Sequence, residues 1–448
     1  MGNQQYEYTS LNRWIADQRK VKKSQLPADV QAAIKVDITK RNAKQKKRLL
    51  DFFLLNISKT NRKTFAPLLQ KQKTLNAQTA GLSKSMPTTL IWKETAKPRP
   101  AFILKRGEYD QEGDPVTRIT PASLPPMPLG ASKDRMGLAQ WLTMKNHPLT
   151  ARVTVNRFWQ QLFGTGIVKT SEDFGSQGEP PTHPQLLDWL AVDFVNSGWN
   201  VKQLMKKMVL SASYRQASTL TAKKLQLDPA NRLISRGPRF RLDAEMMRDQ
   251  ALFLSGMLVH KIGGPSVKPP QPAGLWFAVG YSGSNTVRFK QDQGDSTYRR
   301  SLYTFWKRTA PPPQMSIIDA PSRESCTVRR ERTNTPLLAL LLMNEQQFFE
   351  SARRLGELTM KQSGDIQAKA AWMFERATLH PPSHADLTDL VMLYNDNLAV
   401  FTKDPQAAKD TIGVGDSKAD VLHNVPQLAA WTMVGNLVLN LDEVINKN

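Results

Sequence analysis

Apolar side chains recur at helical spacing between residues 149 and 163. One face of this segment collects Val155, Phe158, Trp159 and Leu162, while Arg152, Asn156 and Arg157 fall elsewhere on the helical wheel and are secondary polar candidates for a site. Pro148 suits the first turn of a helix, where its missing N–H costs nothing, and Gly164 suits the left-handed position that ends one. The pattern therefore predicts a helix over 149–163 with one buried face.

Two more helices are predicted after a glycine-containing loop. Thr182 with Gln185 forms a capping-box pattern, followed by the apolar stripe Leu187, Leu190, Ala191 and Phe194. Asn200 with Gln203 repeats this logic for a third helix. The three elements predict a packed helical unit, but they contain no recognisable catalytic constellation.

Along the rest of the chain, the pattern of apolar and polar residues predicts a mainly α protein with a small β component. We expect a multi-helix domain with long loops. We expect three parts: a helical N-terminal region (1–86), a small β-rich bridge with a proline-rich linker (87–130), and the main domain (131–448). In the first part Leu68, Leu75 and Leu82 recur at sevens, as in one arm of a helical hairpin. In the bridge, short strand-like runs lie at 90–92 and 101–104.

Within the main domain, further elements follow from local patterns. Asp243 is expected to cap a helix that runs to about Leu258. The proline- and glycine-rich stretch 267–297 predicts a surface excursion with strand fragments at 277–279 and 287–289, and alternation at 298–309 predicts a strand. The final helices are predicted at 337–361, 366–378, 385–402 and 426–440.

The charge of the chain is strongly positive and unevenly placed. The formal net charge is +23, and residues 1–130 hold 24 Lys and Arg against 10 Asp and Glu, with a dense run at Lys44, Lys46, Lys47 and Arg48. Such a surface attracts anionic partners, although a solvated helical face is the alternative interpretation. The single cysteine, Cys326, allows no internal disulfide and no cysteine-based zinc or haem attachment site.

No apolar run approaches the length of about 18 residues that a membrane span needs, so we expect no membrane span. Residues 1–10 are polar, and we expect no signal peptide in this sequence.

Two blocks of the chain resemble a known family. The first comprises residues 146–153 (NHPLTARV), 156–159 (NRFW), 172–175 (EDFG), 181–184 (PTHP) and 186–190 (LLDWL). The second comprises residues 298–309 (YRRSLYTFWKRT), 319–321 (DAP) and 332–337 (RTNTPL). Both resemble the planctomycete-specific PSD-one family, the domain of unknown function numbered 1553, for which the resemblance implies no established activity.

The resemblance also implies a context for the chain. Residues 26–29 (LPAD) resemble the tail of a preceding module, the domain of unknown function numbered 1549. In such parent proteins an N-terminal cytochrome c-like region is common, so haem would be expected only there, and no cofactor is expected in this chain. The resemblance further implies a periplasmic or cell-surface location.

The first candidate site is an arginine cluster made of Arg323, Arg329, Arg330 and Arg332. Guanidinium groups bind carboxylate, sulfate or phosphate as a bidentate fork, and the helix start near Pro336 adds a favourable partial positive charge. The alternative is a structural network in which Asp319, Glu324 and Glu331 neutralise these arginines.

The second candidate site is acidic. Glu172, Asp173 and Glu179 share a loop beside His183. The catalytic candidates are Asp173, Glu179, His183 and Asp243. Their spacing matches no metal motif, and no metal site is predicted. His380 and His384 are four residues apart, but Ser383 with Asp386 forms a capping box between them, so we do not expect them to share a helix.

Three functions stay open from the sequence. The first is an extracytoplasmic module whose basic loops bind an acidic polysaccharide, sulfated or carboxylated. The second is an enzyme, either a glycan hydrolase or a redox partner of a cytochrome c-like region. It would require residues from the set Asp173, Glu179, His183, Asp243, Arg329 and Arg330 to converge in one pocket. The third is nucleic-acid binding through the basic N-terminal region, suggested by a pI near 10.0 but by no recognised motif.

Overall fold

The computed structural model describes residues 8–22, 24–420 and 424–447. Helices form 51% of it and strands 4%, which confirms the predicted mainly α fold with a small β component. The chain divides into two compact units, Met1–Pro115 and Val116–Asn448, and the division falls within the segment 87–130 that the sequence sets apart as a bridge. Residues 1–7, where no signal peptide is expected, lie outside the described part.

Up to Ser85, the described residues of the first unit form helices joined by short loops, as predicted. Its helices are α1 (Leu11–Gln18), α2 (Ala28–Lys35), α3 (Ala43–Phe52) and α4 (Lys59–Ser85). A small core of Trp14, Val30 and Leu49 holds the first three together. Leu68, Leu75 and Leu82 on α4 are each more than half exposed, so no hairpin partner covers them within the described residues.

A β-hairpin closes this unit. Strands β1 (Ala101–Leu104) and β2 (Glu112–Val116) pair with each other, which confirms the predicted run at 101–104. The predicted run at 90–92 is not a strand: Leu90, Ile91 and Trp92 are at least 82% exposed and have no neighbouring strand.

The second unit begins with α5 (Arg135–Leu142), α6 (Thr150–Phe163), α7 (Pro184–Asn196), α8 (Val201–Leu210) and α9 (Ala222–Leu227). Of these, α6, α7 and α8 build the predicted three-helix core. The apolar stripes meet as expected, since Val155, Leu190 and Leu204 are all buried in one cluster. Ile167 and Val168, from the loop after α6, complete that cluster.

The two predicted caps in this region differ in outcome. Asn200 caps α8 as predicted, because its side chain accepts the Gln203 N–H at 3.0 Å. Thr182 does not cap α7. Its N–H and hydroxyl both donate to the Ile167 carbonyl, at 3.1 and 3.4 Å, and the helix begins only at Pro184.

Further along, β3 and α10 introduce the second half of this unit. The remaining elements are β3 (Phe240–Arg241), α10 (Ala244–Leu254), α11 (Leu275–Val279), α12 (Pro313–Ile317), α13 (Pro336–Asn344), α14 (Gln346–Met360), α15 (Ile366–Thr378), α16 (His384–Lys403), α17 (Pro405–Ile412), α18 (Val425–Leu439), α19 (Asp442–Ile445) and β4 (Asn446–Lys447). Strands β3 and β4 are antiparallel, with Arg241 opposite Asn446, so the C-terminus returns to the start of α10.

Several local predictions in this half are wrong. The helix after Asp243 ends at Leu254, residues 277–279 belong to helix α11, and 287–289 form no strand. The predicted helix 337–361 is broken because Glu345 has an extended backbone and caps α14. The predicted helix 366–378 is confirmed, and α16 and α18 match their predicted positions to within one residue at each end.

The predicted strand at 298–309 is also absent. Two short 3₁₀ helices, Gly294–Tyr298 and Ser301–Tyr303, occupy its beginning. The buried guanidinium of Arg248 takes the carbonyl oxygens of Thr297 and Arg299, at 2.7 and 3.0 Å, that a neighbouring strand would otherwise use. Only isolated bridges to Val259 and Val267 remain.

The largest core lies between α14 and α18. These two helices approach closely because Gly435 has no side chain, and a Cβ there would lie 2.8 Å from the Ala352 carbonyl oxygen. On the same helix Arg353 is fully buried between Glu350 and Glu357, and it donates to Glu357 at 2.6 Å. No helix in the described part of the chain is long and apolar enough to cross a membrane.

Candidate functional site

Two members of the predicted arginine cluster form ion pairs with acids at the start of α10. The Nη1 and Nη2 groups of Arg330 donate to the two carboxylate oxygens of Glu245 at 2.5 and 3.3 Å. Asp243 lies 3.7 Å from Arg330 and accepts from Arg332 at 3.5 Å. Most of the binding capacity of Arg330 is therefore already used within the protein.

The other two arginines of the cluster also lie near acids, and Arg323 shares Glu245 with Arg330. Arg323 lies 4.3 Å above the centre of the Trp306 ring and 3.9 Å from Glu245. Arg329 donates to Glu172 at 3.4 Å, which ties the arginine loop to the acidic loop after α6. Both side chains of this last pair are about half exposed, so the contact contributes little to stability.

The acids that pair with the cluster are not the predicted ones. Asp319 accepts from Arg241 at 2.5 Å and from Thr333, and Glu324 lies 3.9 Å from Arg308. Asp243 was expected to cap α10, yet its side chain makes no cap hydrogen bond and faces the arginines instead. The structural network exists, but its acids come from α10 and from the acidic loop.

Arg330 and Glu245 each favour the charged form of the other. Burial opposes both charges, but the hydrogen bonds and attraction between them lower the pKa of the Glu245 carboxyl and raise the pKa of the Arg330 guanidinium. The pair is therefore fully charged near neutral pH.

A cavity of about 170 Å³ lies beside Arg332. Its apolar wall comes from the end of α6 and from β3, and its polar wall from the glycine loop after α6 and from the turn before β3. The lining residues are Trp159, Phe163, Gly164, Thr165, Gly166, Ile167, Thr182, Ala230, Asn231, Arg232, Ile234, Pro238, Arg239, Phe240 and Arg332. Hereafter we call it the Arg332 cavity.

The glycine loop that forms one wall is fixed by Asn156. This side chain is fully buried, donates to the Val168 carbonyl and accepts the Val168 N–H, each at 2.9 Å. Gly166 passes so close that a Cβ would lie 2.6 Å from the Asn156 amide nitrogen. Asn156, a secondary polar candidate, therefore positions the wall and does not itself line the cavity.

The opposite wall is a rigid turn over residues 228–236. Buried Asp228 accepts the N–H groups of Arg232 and Leu233, at 2.6 and 3.0 Å. Asn231 and Ile234 have backbone φ angles of 52° and 57°, a left-handed conformation that asparagine tolerates but that is strained for the β-branched Ile234. Hydrogen bonds within the turn, including those to Asp228, hold this conformation.

Arg232 joins the two walls. It donates to the Gly166 and Ile167 carbonyl oxygens at 2.7 and 3.2 Å, and no carboxylate lies within 4 Å of its guanidinium in the described part of the chain. The two carbonyl groups therefore hold the Arg232 guanidinium in place, and no acidic side chain among the described residues neutralises its charge.

Arg332 brings a second charge to the cavity. It lies 4.3 Å above the Phe240 ring and donates to the Gly164 carbonyl at 3.3 Å. Its Nε is buried and has no hydrogen-bond partner among the described residues. A third arginine, Arg239, pairs with Asp442 at the edge. In the described part of the chain, three arginines and no acidic residue therefore line the cavity.

The predicted acidic candidates do not converge on this cavity. Asp173 accepts the Gly175 N–H at 2.7 Å, Glu179 pairs with Lys169 at 3.0 Å, and His183 contacts the Thr182 hydroxyl at 3.0 Å. Only Asp243 joins the arginines. No Asp, Glu or His side chain is among the residues that line the Arg332 cavity.

The remaining candidates have local roles. Arg152 pairs with Asp188 at 2.7 Å, and Arg157 is exposed outside the cavity. His384 starts α16, whereas His380 precedes the Ser383 cap and contacts Glu443 at 2.9 Å, so the two do not share a helix, as predicted. Among the described residues no group of three or more His, Cys, Asp or Glu side chains is placed to hold a metal ion, and Cys326 is exposed.

The sequence interpretation missed Arg232, Arg239 and Phe240. The Asp-Pro-Ala-Asn turn at 228–231 was a visible signal of a tight turn, but neither its strained backbone nor its position against the glycine loop can be read from local pattern.

Fold and site together define a mainly helical protein with a pre-organised, arginine-lined cavity between two loops. The family described as "Protein of unknown function (DUF1553)", PSD1, matches residues 134–394, more than half of the chain, and the chain belongs to this family. No curated protein and no solved structure matches the chain. The match covers both loops of the Arg332 cavity.

Proposed function

We propose that this protein is a binding module that recognises an acidic polysaccharide, sulfated or carboxylated, through the Arg332 cavity. The observation that carries the proposal is the pair of guanidinium side chains, Arg232 and Arg332, in a cavity whose described lining contains no Asp or Glu. Guanidinium groups favour planar oxyanions. Because folding already holds these side chains in place, a ligand that binds here loses little conformational entropy from the protein.

The composition of the cavity favours binding over catalysis. Hydrolysis of a glycosidic bond ordinarily needs two carboxyl groups on either side of the scissile bond. The lining offers guanidinium groups, hydroxyls and aromatic faces, which hold a sugar acid, but no carboxyl group to act as general acid or base. The periplasmic or cell-surface location expected from the family resemblance is part of this proposal, since it would bring the module into contact with such polymers.

A binding panel tests the proposal. Sulfated, carboxylated and neutral polysaccharides of matched length, with duplex DNA as a control, are compared at about 20 and about 150 mM salt. We expect one acidic class to bind selectively at the higher salt concentration. Equal binding of all polyanions, lost at the higher concentration, would show that the net charge alone is responsible and would contradict the proposal.

A further inference from the structure

The Arg332 cavity is one of three that open around Arg239. A second cavity, of about 540 Å³, shares Ala230, Asn231 and Arg239 with it. A third, of about 670 Å³, shares Ser218 and Arg239 with the second. Because they share lining residues, the three cavities lie side by side around Arg239, near the turn 228–236 and β3, and we refer to them together as the groove.

The far end of this groove, which we call the distal cavity, is the 670 Å³ one. It lies between α10, the end of α15 and the C-terminal strand β4. Its volume falls within the range of about 300–1,000 Å³ that is usual for small-molecule sites. The described chain leaves it open to solvent.

Two cations in the distal cavity lack a carboxylate partner among the described residues. Lys447 lies 4.0 Å above the Tyr214 ring, and burial lowers the pKa of its amine. Arg376 donates through Nε to the Leu254 carbonyl at 2.7 Å, which leaves its terminal nitrogens for another acceptor. The acids nearby, Asp442 and Glu443, pair with Arg239 and His380.

The same cavity presents exposed apolar surface. Phe253 is 58% exposed, and Leu379 is 89% exposed in a left-handed conformation with φ of 66°. The left-handed conformation of Leu379 is the one that ends α15, so the apolar surface available to a ligand in this cavity is mainly the ring of Phe253. One face of a pyranose ring consists of C–H groups, and such a face packs well on an aromatic ring.

We infer that the distal cavity is a second subsite of the same groove, so that the ligand is a linear acidic glycan of several sugar units with at least two acidic groups. This inference rests on the proposed function. One acidic group would occupy the Arg332 cavity, the chain would cross Arg239, and a second acidic unit would pack on Phe253 between Arg376 and Lys447. A small anion would need only one cavity and would leave the charges of the distal cavity unused.

The two subsites give binding a dependence on ligand length. Once the first unit is bound, the second binds at high effective concentration, so affinity rises when the glycan becomes long enough to span the groove and then levels off. Simple surface attraction would instead continue to grow with every added charge.

Calorimetric titration of the full chain with size-fractionated oligouronates, from the disaccharide to about ten units, tests the inference. We expect Phe253→Ala and Lys447→Gln each to weaken the longer oligomers by roughly two- to tenfold and to leave the disaccharide unchanged. Phe277→Ala and Arg157→Gln are the matched controls, since both residues are exposed and lie outside the three cavities. Thermal unfolding confirms that each variant is folded.

The outcomes separate the two proposals. If the disaccharide and the long oligomers bind equally, or if neither Phe253→Ala nor Lys447→Gln has an effect, the second subsite is refuted while acid recognition at Arg332 stands. If neither the oligouronates nor the sulfated and carboxylated polymers of the panel bind selectively at any length, the proposed function fails and the inference fails with it.

Discussion

At the scale of single residues, the site depends on how each charge is satisfied. Arg330 and Glu245 satisfy each other through two hydrogen bonds, whereas Arg332 keeps a buried donor free. Neighbouring arginines of one loop therefore have different surroundings: Arg330 pairs with Glu245 on α10, whereas Arg332 pairs with Asp243 and also lines the cavity. A sequence motif rich in arginine does not distinguish these surroundings.

The Glu245 pair predicts a pH dependence of stability. Because the pKa of Glu245 is lowered from its ordinary value of 4.5, the charged carboxylate stabilises the folded protein above that pH. This contribution is lost as the pH falls through the lower folded-state pKa. We expect Glu245→Gln to reduce the unfolding free energy by about 1–3 kcal/mol at neutral pH, measured by denaturant unfolding.

The difference between wild type and Glu245→Gln should shrink below about pH 4, because the wild-type carboxyl then also becomes neutral. Glu172→Gln is the matched control, since its pair with Arg329 is half exposed and should change stability by less than about 1 kcal/mol. A loss that does not vary with pH would show that packing, and not charge, explains the effect.

The sequence identified the arginines but not their partners, for a physical reason. Glu245 lies 85 residues before Arg330, and Asp243 lies 89 residues before Arg332. Nearby acids such as Asp319 and Glu324 were the natural local choice. Long-range pairing is decided by the packing of α10, and local charge pattern contains no information about it.

At the scale of elements, helices with strong periodicity were predictable. Helix α6 starts at Thr150, one residue after the predicted start, so that Pro148 precedes its first turn, and it ends before Gly164 as predicted. Asn200 caps α8. The start of α7 was missed because Thr182 serves the glycine loop, and the strand at 298–309 was missed because Arg248 takes its carbonyl oxygens. Local propensity fails where a distant side chain supplies the hydrogen bonds.

Helix α14 offers a second stability prediction. Arg353 is fully buried, with Glu357 at 2.6 Å and Glu350 at 3.6 Å. Removing it leaves buried Glu350 without a cationic partner among the described residues and leaves Glu357 with Arg354 alone. We expect Arg353→Leu to lower the unfolding free energy by about 3–5 kcal/mol, measured by denaturant unfolding.

The adjacent Arg354 is the control for this substitution. It also pairs with Glu357, but its side chain is 33% exposed. Arg354→Leu should therefore cost about 1 kcal/mol or less, since Glu357 keeps Arg353. Equal losses for the two variants would contradict the view that burial of Arg353 makes its pairing essential.

At the scale of the whole molecule, the groove belongs to one unit. All residues that line the three cavities lie in Val116–Asn448, whereas most of the positive excess lies in residues 1–130. Net charge and binding site are thus separate properties. The sequence predicted the mainly α fold, but it could not predict a groove built from loops that meet only after folding.

This separation predicts the behaviour of a truncated chain. A fragment of residues 116–448 contains three of the large apolar cores and the complete groove. We expect it to fold, as judged by cooperative thermal unfolding, and to bind acidic glycans at about 150 mM salt as the full chain does. If the folded fragment loses selective binding, the basic N-terminal region and not the groove would be the binding element.

The central claim is that Arg332 binds an acidic group in the cavity, and paired titrations of Arg332→Gln and Arg329→Gln test it most directly. Both substitutions remove one charge from one loop, but only Arg332 lines the cavity. With a carboxylated oligosaccharide at about 150 mM salt, we predict that Arg332→Gln weakens binding by about tenfold or more, and Arg329→Gln by less than about twofold. Equal losses, or full affinity of a folded Arg332→Gln variant, would contradict the claim.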